Sequence, residues 1–519
     1  MDVRKIKYPV GIQTFSEIIT EKYFYVDKTA LVYQLVNDSK YIFLSRPRRF
    51  GKSLLMSTLE AYFKGMRELF TGLDIMKLEN EWCVYPVFRF DLSGENYTSV
   101  ERMVEHIKAY LDMIEEDYGL KAEGSISTRM QLLLRQAYRK YGKRVVVLVD
   151  EYDKPILDCM HSASLNESLK NELRAFYSAI KASDEYIRFT MLTGITKFGK
   201  VSIFSGLNNL LDISLLPAYN AICGITQREF QEKFKEPVKI FAHSLNIPPD
   251  DAWNRFKTLY DGYHFSHTGD FIYNPFSVLS ALKIEQFKNY WYETASPTFL
   301  IKLIESHSYS LDKLEGARRR ESQLGNITDI DNDFVPLLYQ SGYLTIKDYD
   351  FSSDEYVLGF PNLEVRKAFW ESMVDHFFRN RNGGSEFDIN RFLHDINSGN
   401  PEGFMSRLQS LFADTSSEYE INKEIHFQNM MATVAKMLGL TVRTEVHSSA
   451  GRCDMQILTP QYIYIFEFKI DSSATHALSQ IKKRGYAEPF GADSRSKFII
   501  GANFSSASRT FTDWIIENI

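Results

Sequence analysis

The chain has 519 residues, 44% of them hydrophobic and 25% charged, and a formal net charge of −6 at pH 7. This length predicts roughly two to four domains, and the acidic balance argues against a protein that coats nucleic acid by charge alone. The first residues lack the apolar h-region that is typical of a signal peptide, and no apolar run approaches the roughly 20 residues that span a bilayer. The four dispersed cysteines suit reduced thiols. We therefore expect a cytoplasmic protein without a membrane partner.

Strands and helices are predicted to alternate over residues 1–225. Short apolar segments at 41–45, 84–91, 144–150 and 187–193 predict strands, and helical stretches such as 100–115 and 169–182 separate them. Alternation of this kind is typical of a parallel sheet with helices on both faces. The sequence therefore predicts an α/β domain here.

A phosphate-binding loop is predicted between the first strand and the helix that follows it. Its candidate nucleotide-binding residues are Arg46, Arg48, Arg49, Gly51, Lys52 and Ser53. Backbone N–H groups at a helix N-terminus bind phosphate, Lys52 can reach the β- and γ-phosphates, and the Ser53 hydroxyl can ligate Mg²⁺. Arg46 stands where the motif has its first glycine, and we expect its guanidinium to contact either the nucleotide phosphates or an acidic neighbour. A chance Gly-Lys-Ser in a basic turn is the alternative to an ATP site.

Two carboxylates follow the strand at 144–150 and strengthen the prediction of ATP with Mg²⁺. Asp150 is expected to hold Mg²⁺ through water, and Glu151 to orient and deprotonate the attacking water. Thr193 ends the next strand, which we expect to lie beside the Asp150 strand. Its hydroxyl could sense the γ-phosphate or the water, or it could be an ordinary strand-end threonine.

The middle region, residues 226–410, is predicted to be a mostly helical lid or linker, with a winged-helix unit as one arrangement. Its aromatic residues, such as Trp291, are assigned to packing. A glycine-rich linker is predicted at 379–385 and a helix at 388–411.

Residues 411–519 predict a small separate α/β domain. Its expected elements are a helix at 422–438, a strand at 441–446, a hairpin at 453–470, a helix at 474–487 and a strand at 496–502. Strand alternation places Glu467 and Lys469 on one face, and the hairpin brings Asp454 beside Glu467. Adjacent carboxylates repel unless a cation such as Mg²⁺ or Mn²⁺ bridges them, and Lys469 could then activate a metal-bound water. A solvent-facing Glu–Lys pair is the alternative.

Several longer segments resemble one known family. They lie at 24–29, 46–53, 150–155, 193–198, 204–209 and 273–277, and the D-x(n)-E-x-K pattern of Asp454, Glu467 and Lys469 joins them, so that the resemblance extends over nearly the whole chain. The chain resembles a bacterial AAA-ATPase-like family whose members carry a C-terminal domain of the PD-(D/E)xK nuclease superfamily.

The resemblance implies a P-loop fold of the additional-strand, catalytic-glutamate type, with Glu151 as the base and an arginine at position 46 as a family feature. It also implies a restriction-endonuclease-like C-terminal domain in which Glu424 is the first acidic metal position and Gln480 supports the catalytic site. The family often has an aromatic pair and a histidine after this glutamate, whereas here Glu424 is followed by Ile-His-Phe-Gln. Any role of that histidine would therefore shift to His426 or be lost.

Two functions from different classes remain open. One is an ATP-driven nuclease acting on DNA or RNA, with DNA favoured and with Lys482, Lys483 and Arg484 as the phosphate contacts. The other is an ATP-dependent switch whose C-terminal domain only binds a nucleic acid or protein partner. The sequence leaves the oligomeric state open.

Overall fold

The computed structural model describes most of the chain and divides it into two compact units. The described residues are 6–160, 162–197, 209–291, 311, 314–325, 327, 333–377, 389–413, 430–431, 433–434, 436, 441–448, 451–508 and 510–519. The first unit comprises Met1–Ala295 and Gly316–Val365, and the second Ser296–Glu315 and Arg366–Ile519. The middle region contributes to both, so the division at 225 and 410 stays a prediction. Glu424, His426 and the linker at 379–385 lie outside the described residues.

The first unit is built on a five-stranded parallel sheet with the order β2-β3-β4-β1-β5. Its strands are β1 Tyr41–Ser45, β2 Val87–Asp91, β3 Val145–Asp150, β4 Ile187–Gly194 and β5 Leu211–Asp212. The four predicted strands are confirmed, although β2 begins three residues later than the pattern at 84–91 suggested. Because β4 lies between β1 and β3, the sheet is of the additional-strand type that the resemblance implied.

Within the described part of the first 197 residues, seven α-helices accompany these strands, two of them before β1 and five in the connections between strands. They are α1 Phe15–Thr20, α2 Thr29–Asp38, α3 Lys52–Phe63, α4 Val100–Tyr118, α5 Ile126–Tyr141, α6 Lys154–Asp158 and α7 Ala163–Ala182. Right-handed crossovers place α3 on one face of the sheet and α4, α5 and α7 on the other, because β1→β2 crosses the sheet in the opposite direction from β2→β3 and β3→β4. The contacts agree, since α4, α5 and α7 pack on one another and α3 packs on α1.

The rest of the first unit is mostly helical, as predicted, with small sheets that the sequence did not reveal. Its elements are β6 Ile225–Thr226, α8 Gln227–Lys233, α9 Lys235–Ser244, α10 Pro249–Tyr260, β7 Ile272–Tyr273, α11 Pro275–Ile284, β8 Arg318–Arg319, α12 Glu321–Leu324, α13 Val335–Ser341, β9 Thr345–Asp350 and β10 Glu355–Gly359. Strands β8, β10 and β9 form an antiparallel sheet. Buried aromatic rings on α8, α9 and α10, such as Phe230, Phe241 and Phe256, form the local core. This confirms the assignment of aromatic residues here to packing.

The second unit contains a five-stranded mixed sheet with the order β11-β12-β13-β14-β15, in which only the pair β13–β14 is parallel. Helix α14 Leu363–Phe377 crosses the boundary between the units, and α15 Ile389–Asn397, α16 Pro401–Ala413, β11 Thr441–Ser448, β12 Gly451–Leu458, β13 Tyr462–Ile470, α17 Ala474–Lys483, β14 Ser496–Ser505 and β15 Thr510–Asn518 follow. The helix predicted at 388–411 is two helices, because Gly399 adopts a positive φ of 75° between them. Strand β15 was not predicted.

The connection from β13 to β14 runs through α17, as a parallel pair requires. Helix α17 lies very close to the sheet at Gly501 on β14, where an added Cβ would lie 2.4 Å from the Leu478 backbone nitrogen. Only glycine permits this approach. In the described part of the chain, no helix is long and apolar enough to cross a membrane.

Candidate functional sites: a phosphate-binding loop and a carboxylate–lysine cluster

The loop between β1 and α3 has the backbone of an anion-binding turn. Arg49 and Gly51 both adopt left-handed conformations, with φ of 68° and 95°. Gly51 is the N-cap of α3, which starts at Lys52, and no side chain caps this helix end. The first N–H groups of a helix lack partners within the helix, and the helix dipole favours negative charge there. The loop can therefore bind a phosphate group.

A cavity of ≈460 Å³ opens in front of this loop. Its volume lies within the range of small-molecule sites. Besides Arg48, Arg49, Gly51, Lys52 and Ser53, it is lined by Pro9, Val10, Gly11, Ile12, Gln13, Leu54, Ser93, Glu151, Lys154, Pro275, Phe276 and Leu279. Most of the predicted nucleotide residues thus share one cavity with the predicted catalytic glutamate. The N-terminal segment 9–13 and the start of α11 are walls that the sequence did not reveal.

Lys52 is held at the base of this cavity. Its side chain is 4% exposed, and its Nζ lies 3.7 Å from Oε1 of Glu151. The same Nζ donates to the carbonyl oxygens of Arg46 and Pro47 at 3.0 and 3.3 Å. Glu151 has a positive φ of 52°, a conformation that is uncommon outside glycine and is often found at functional sites. The ammonium therefore faces both the loop and the glutamate.

Asp150 lies at the end of β3, beside Thr193 of β4. The Thr193 hydroxyl donates to Oδ1 of Asp150 at 2.5 Å, and Oδ2 of Asp150 is buried without a hydrogen-bond partner among the described residues. Burial raises the pKa of Asp150, while Thr193 and Ser53 counteract this through side-chain hydrogen bonds. An orphaned carboxylate oxygen next to the Ser53 hydroxyl is a donor set that Mg²⁺ accepts. The residues present therefore fit the predicted ion.

Asp153 is a further residue of this site, and the sequence reasoning missed it. Its Oδ2 accepts hydrogen bonds from the Ile195 N–H at 3.0 Å, the Thr196 N–H at 2.6 Å and the Thr196 hydroxyl at 2.5 Å. Burial, followed by the charge of Glu151, raises its pKa to about 6. Asp153 thus ties the turn after Glu151 to the segment after Thr193. The sequence signal that could have revealed Asp153 is that it is a third acidic residue close after Asp150 and Glu151.

Arg46 occupies a different place from the one predicted for it. We expected its guanidinium to contact phosphate or an acidic neighbour, but it is 1% exposed and does not line the phosphate cavity. It donates to the carbonyl oxygens of Ser45, Ser214 and Tyr219 at 2.9, 2.8 and 3.2 Å, and its Cζ lies 4.1 Å from the ring centroid of Phe265. The reason is geometric, since the side chain at the loop entrance points into the protein. Arg46 anchors the loop from behind.

The change Arg46→Gly is therefore expected to weaken ATP binding and to destabilise the first unit. Removing the guanidinium leaves buried carbonyl oxygens without a donor, a loss of about 2–4 kcal/mol in unfolding free energy. Arg46→Lys should restore only part of it, because an ammonium lacks the planar fork. Thermal unfolding and ATP titration measure both effects, with Arg67→Gly, at an exposed arginine that does not line the phosphate cavity, as control. A variant that binds ATP more tightly at unchanged stability would show that Arg46 obstructs the loop.

The second candidate site lies on β13 in the second unit. Glu467 is buried, and its Oε1 accepts hydrogen bonds from Lys469 Nζ at 2.9 Å and from Gln480 Nε2. Its Oε2 is buried with no hydrogen-bond partner among the described residues. Burial and the charge of Asp454 raise the pKa of Glu467 to about 7. An acid with one orphaned oxygen and a second carboxylate nearby is suited to a divalent cation.

The hairpin brings Asp454 to this site as predicted. Oδ2 of Asp454 accepts a hydrogen bond from the Phe468 N–H at 2.8 Å, which fixes the carboxylate against β13. The close approach of α17 at Gly501 places Gln480 over the strand. The predicted set of Asp454, Glu467, Lys469 and Gln480 is therefore assembled around one carboxylate. The described residues hold no group of three or more His, Cys, Asp or Glu side chains that could bind a metal, so the contribution of Glu424 stays a prediction.

The basic cluster that follows Gln480 is partly neutralised. Lys482 Nζ lies 2.7 Å from Oε2 of Glu517 on β15. Both side chains remain accessible, at 52% and 39%, and exposed pairs of this kind are weak. Lys482 is therefore accessible to an anion that competes with Glu517.

Comparison with known proteins gives two family matches and a relative over the full length. Residues 9–204 are similar to the family described as "Predicted AAA-ATPase", and residues 422–514 to the "PD-(D/E)XK nuclease superfamily". A protein of Azotobacter chroococcum mcd 1, described as "Uncharacterized protein in vnfD 5'region", is 34% identical over 529 residues and is covered to 99%, as is this chain. The two matches coincide with the two sites.

Proposed function

Because this chain belongs to the family of predicted AAA-ATPases with a C-terminal PD-(D/E)XK nuclease superfamily domain, we propose that it hydrolyses ATP and uses the second site to cleave nucleic acid. The ATPase proposal rests above all on one observation. Lys52, Ser53 and Glu151 line the same cavity, and Asp150 lies beside Ser53 with an orphaned oxygen.

In this reaction the loop N–H groups and Lys52 bind the β- and γ-phosphates. Ser53 and Asp150 would hold Mg²⁺, which supplies positive charge against the phosphate oxygens. Glu151 orients the attacking water and accepts its proton, a role that its position 3.7 Å from the phosphate-binding Lys52 supports. Thr193 holds the Asp150 carboxylate in position.

The nuclease proposal rests on the buried, half-satisfied carboxylate of Glu467. Asp454 and Glu467 would hold Mg²⁺ or Mn²⁺, with Glu424 as a third ligand, and the ion would supply charge to the scissile phosphate. Lys469 lies on the same strand face and can orient or deprotonate a water. Gln480 holds Glu467 in place. We propose DNA rather than RNA as the substrate, with Lys482, Lys483 and Arg484 contacting the backbone.

Metal binding at this second site should strengthen with pH. The pKa of Glu467, about 7, lies above its ordinary value of 4.5. A metal must displace this proton, so Mn²⁺ affinity should be about tenfold weaker at pH 6 than at pH 8. Without metal, the pH dependence of the free energy of unfolding has the opposite direction, because the folded protein holds the Glu467 proton more tightly than the unfolded chain does. The stabilisation is complete below about pH 4.5 and is lost as the pH rises through about 7. Titrations of Mn²⁺ and thermal unfolding across this window measure both, and Glu467→Gln should abolish both trends. A pH-independent Mn²⁺ affinity would contradict the assignment.

The second candidate function is the ATP-dependent switch, and one feature favours it. Lys469 and Gln480 both bond Oε1 of Glu467, so much of this carboxylate is already satisfied by the protein itself. In that case the C-terminal domain would bind nucleic acid or a protein partner without cutting.

A nicking assay separates the two functions. The full chain is incubated with supercoiled plasmid or with single-stranded RNA, in Mg²⁺ or Mn²⁺, with and without ATP. Cleavage of DNA that Asp454→Asn abolishes would support the nuclease. Retention of plasmid on a gel without cutting, under every nucleotide condition, would favour the switch.

A further inference from the structure

The end of helix α5 and the turn that follows it carry a dense group of cations in an otherwise acidic chain. Residues 124–149 contain six Lys or Arg side chains and no Asp or Glu, whereas the whole chain has 61 against 67. One of the six, Arg129, is buried and pairs with Asp112 and Glu115. The other five are exposed, and we call them, together with two exposed tyrosines, the α5 patch: Arg135, Tyr138, Arg139, Lys140, Tyr141, Lys143 and Arg144.

The cations of the α5 patch form no ion pair with a carboxylate in the described part of the chain. Asp184 lies near Arg144, but it is already paired with Lys40 at 2.6 Å. The helix dipole favours cations in the last turn of a helix, which accounts for Arg139 and Lys140. It does not account for the other three cations. The mutual repulsion of the five would be relieved by a bound anion.

The α5 patch lies at the opposite edge of the parallel sheet from the phosphate cavity. Arg144 directly precedes β3, whereas Asp150 ends this strand and Glu151 follows it. At about 3.3 Å per residue, the six residues of β3 span about 20 Å. The patch is therefore separate from the ATP site. It belongs to the first unit and not to the unit that contains the carboxylate–lysine cluster.

The two tyrosines of the patch are held in place with their rings partly open to solvent. Tyr138 is 38% exposed and Tyr141 is 44% exposed. The Tyr138 ring packs on Tyr186, with 5.5 Å between the ring centroids, and the Tyr141 ring meets Tyr118 edge to face at 5.7 Å. Nucleic-acid bases stack on aromatic rings that are accessible in this way.

We infer that the α5 patch binds a single strand of nucleic acid, with the phosphates on its cations and bases on Tyr138 and Tyr141. A positively charged track with aromatic stacking platforms is the arrangement by which proteins bind single strands without sequence preference. DNA and RNA share this chemistry. The inference goes beyond the proposed cleavage, because it places a nucleic-acid contact on the first unit whether or not the second site cuts.

The first test measures binding of fluorescent oligo(dT), oligo(U) and a short duplex to the full chain, in EDTA so that no strand is cut. A fourfold variant removes most of the charge: Arg135→Gln, Arg139→Gln, Lys143→Gln and Arg144→Gln. Lys140 is kept because its Nζ donates to the carbonyl oxygens of Tyr118 and Gly119. The variant should bind single strands at least about tenfold more weakly than wild type. The slope of log affinity against log salt should fall by about 2–3, since each lost phosphate contact contributes about 0.7.

The matched control removes the same charge from exposed positions on α8 and α9, where acidic residues lie between the cations: Arg228→Gln, Lys233→Gln, Lys235→Gln and Lys239→Gln. It should bind single strands as wild type does. Equal affinities of the two fourfold variants would overturn the inference. Loss of binding only in Lys482→Gln/Lys483→Gln/Arg484→Gln would also overturn it, because the second unit would then hold the strand alone.

The tyrosines are tested by a pair of variants at one position. Tyr138→Leu should weaken single-strand binding by about fivefold or more and leave duplex binding unchanged, since paired bases are not available for stacking. Tyr138→Phe keeps the ring and should bind as wild type does. If Tyr138→Leu has no effect and wild type binds duplex as tightly as single strands, the single-strand inference is wrong. Wild type that binds vesicles of anionic phospholipid but no nucleic acid would show a membrane surface instead.

Cross-linking of wild type by oligonucleotides that carry 5-iodouracil gives a readout that does not depend on the folding of any variant. Cross-links on peptides containing residues 135–144 support the inference, and cross-links confined to residues 451–519 overturn it. Neither result bears on ATP hydrolysis. A failure of the α5 patch is therefore distinguishable from a failure of the proposed ATP site, which Lys52→Ala tests.

Discussion

Glu151→Gln is expected to bind ATP with nearly wild-type affinity and to lose hydrolysis by roughly 10²–10⁴-fold, the usual contribution of a general base. The amide keeps the shape of the side chain but cannot accept the proton of the attacking water. Its neighbour Lys52, 3.7 Å away, remains free to bind phosphate, and ATP affinity could rise slightly because a negative charge leaves the cavity. Phosphate release under saturating ATP and a separate binding titration measure the two effects.

Lys52→Ala and Glu105→Gln complete this experiment. The first should abolish ATP binding, because it removes the buried cation at the base of the cavity. The second changes an exposed glutamate on α4 and should leave both properties unchanged. If Glu151→Gln turns over ATP at the wild-type rate, Glu151 is not the base. Asp150 and Asp153 would then be the remaining carboxylates to test.

The parallel sheet was predictable because its strands are short apolar runs followed by functional polar residues. Strand β3 is buried at every position, and such runs contrast sharply with the amphipathic helices α4 and α5. Strand β15 was missed because it lies on the edge of its sheet and only Phe511 among its residues is buried, so it lacks that apolar signal. The two-residue strands β5, β6 and β7 are too short for any periodicity.

Among the site residues, those in local motifs could be predicted from the sequence, and those whose contacts are distant in sequence could not. Residues read from a local motif, such as Lys52 and Glu151, lie at the cavity. The orientation of the Arg46 side chain could not be predicted, because its partners Ser214, Tyr219 and Phe265 are far away in sequence. The ion pair of Lys28 with Glu229 was hidden for the same reason, since 201 positions separate the two residues. Contacts between distant segments follow from the tertiary fold.

The second large effect is expected at the carboxylate–lysine cluster, where two variants should fail in different ways. Asp454→Asn should lose metal binding and cleavage together, because one carboxylate and waters hold Mg²⁺ or Mn²⁺ poorly. The amide oxygen can still accept the hydrogen bond from the Phe468 N–H, so the hairpin should keep its structure. Calorimetry of the full chain with Mn²⁺, compared with wild type, measures the lost site separately from any ion at the ATP loop.

Lys469→Met should instead keep the metal and lose cleavage by at least about 100-fold. Its ammonium bonds Glu467 at 2.9 Å, so removing this competing cation should leave metal affinity unchanged or higher, while Gln480 still holds the carboxylate. Lys367→Met, at an exposed lysine of the same unit, controls for the loss of a charge. If Lys469→Met cuts normally, the lysine only pairs with Glu467. If wild type binds no metal and cuts neither DNA nor RNA, Lys469 and Gln480 hold Oε1 of Glu467 permanently and the cluster is a binding surface. The ATP-dependent switch is then the function that remains.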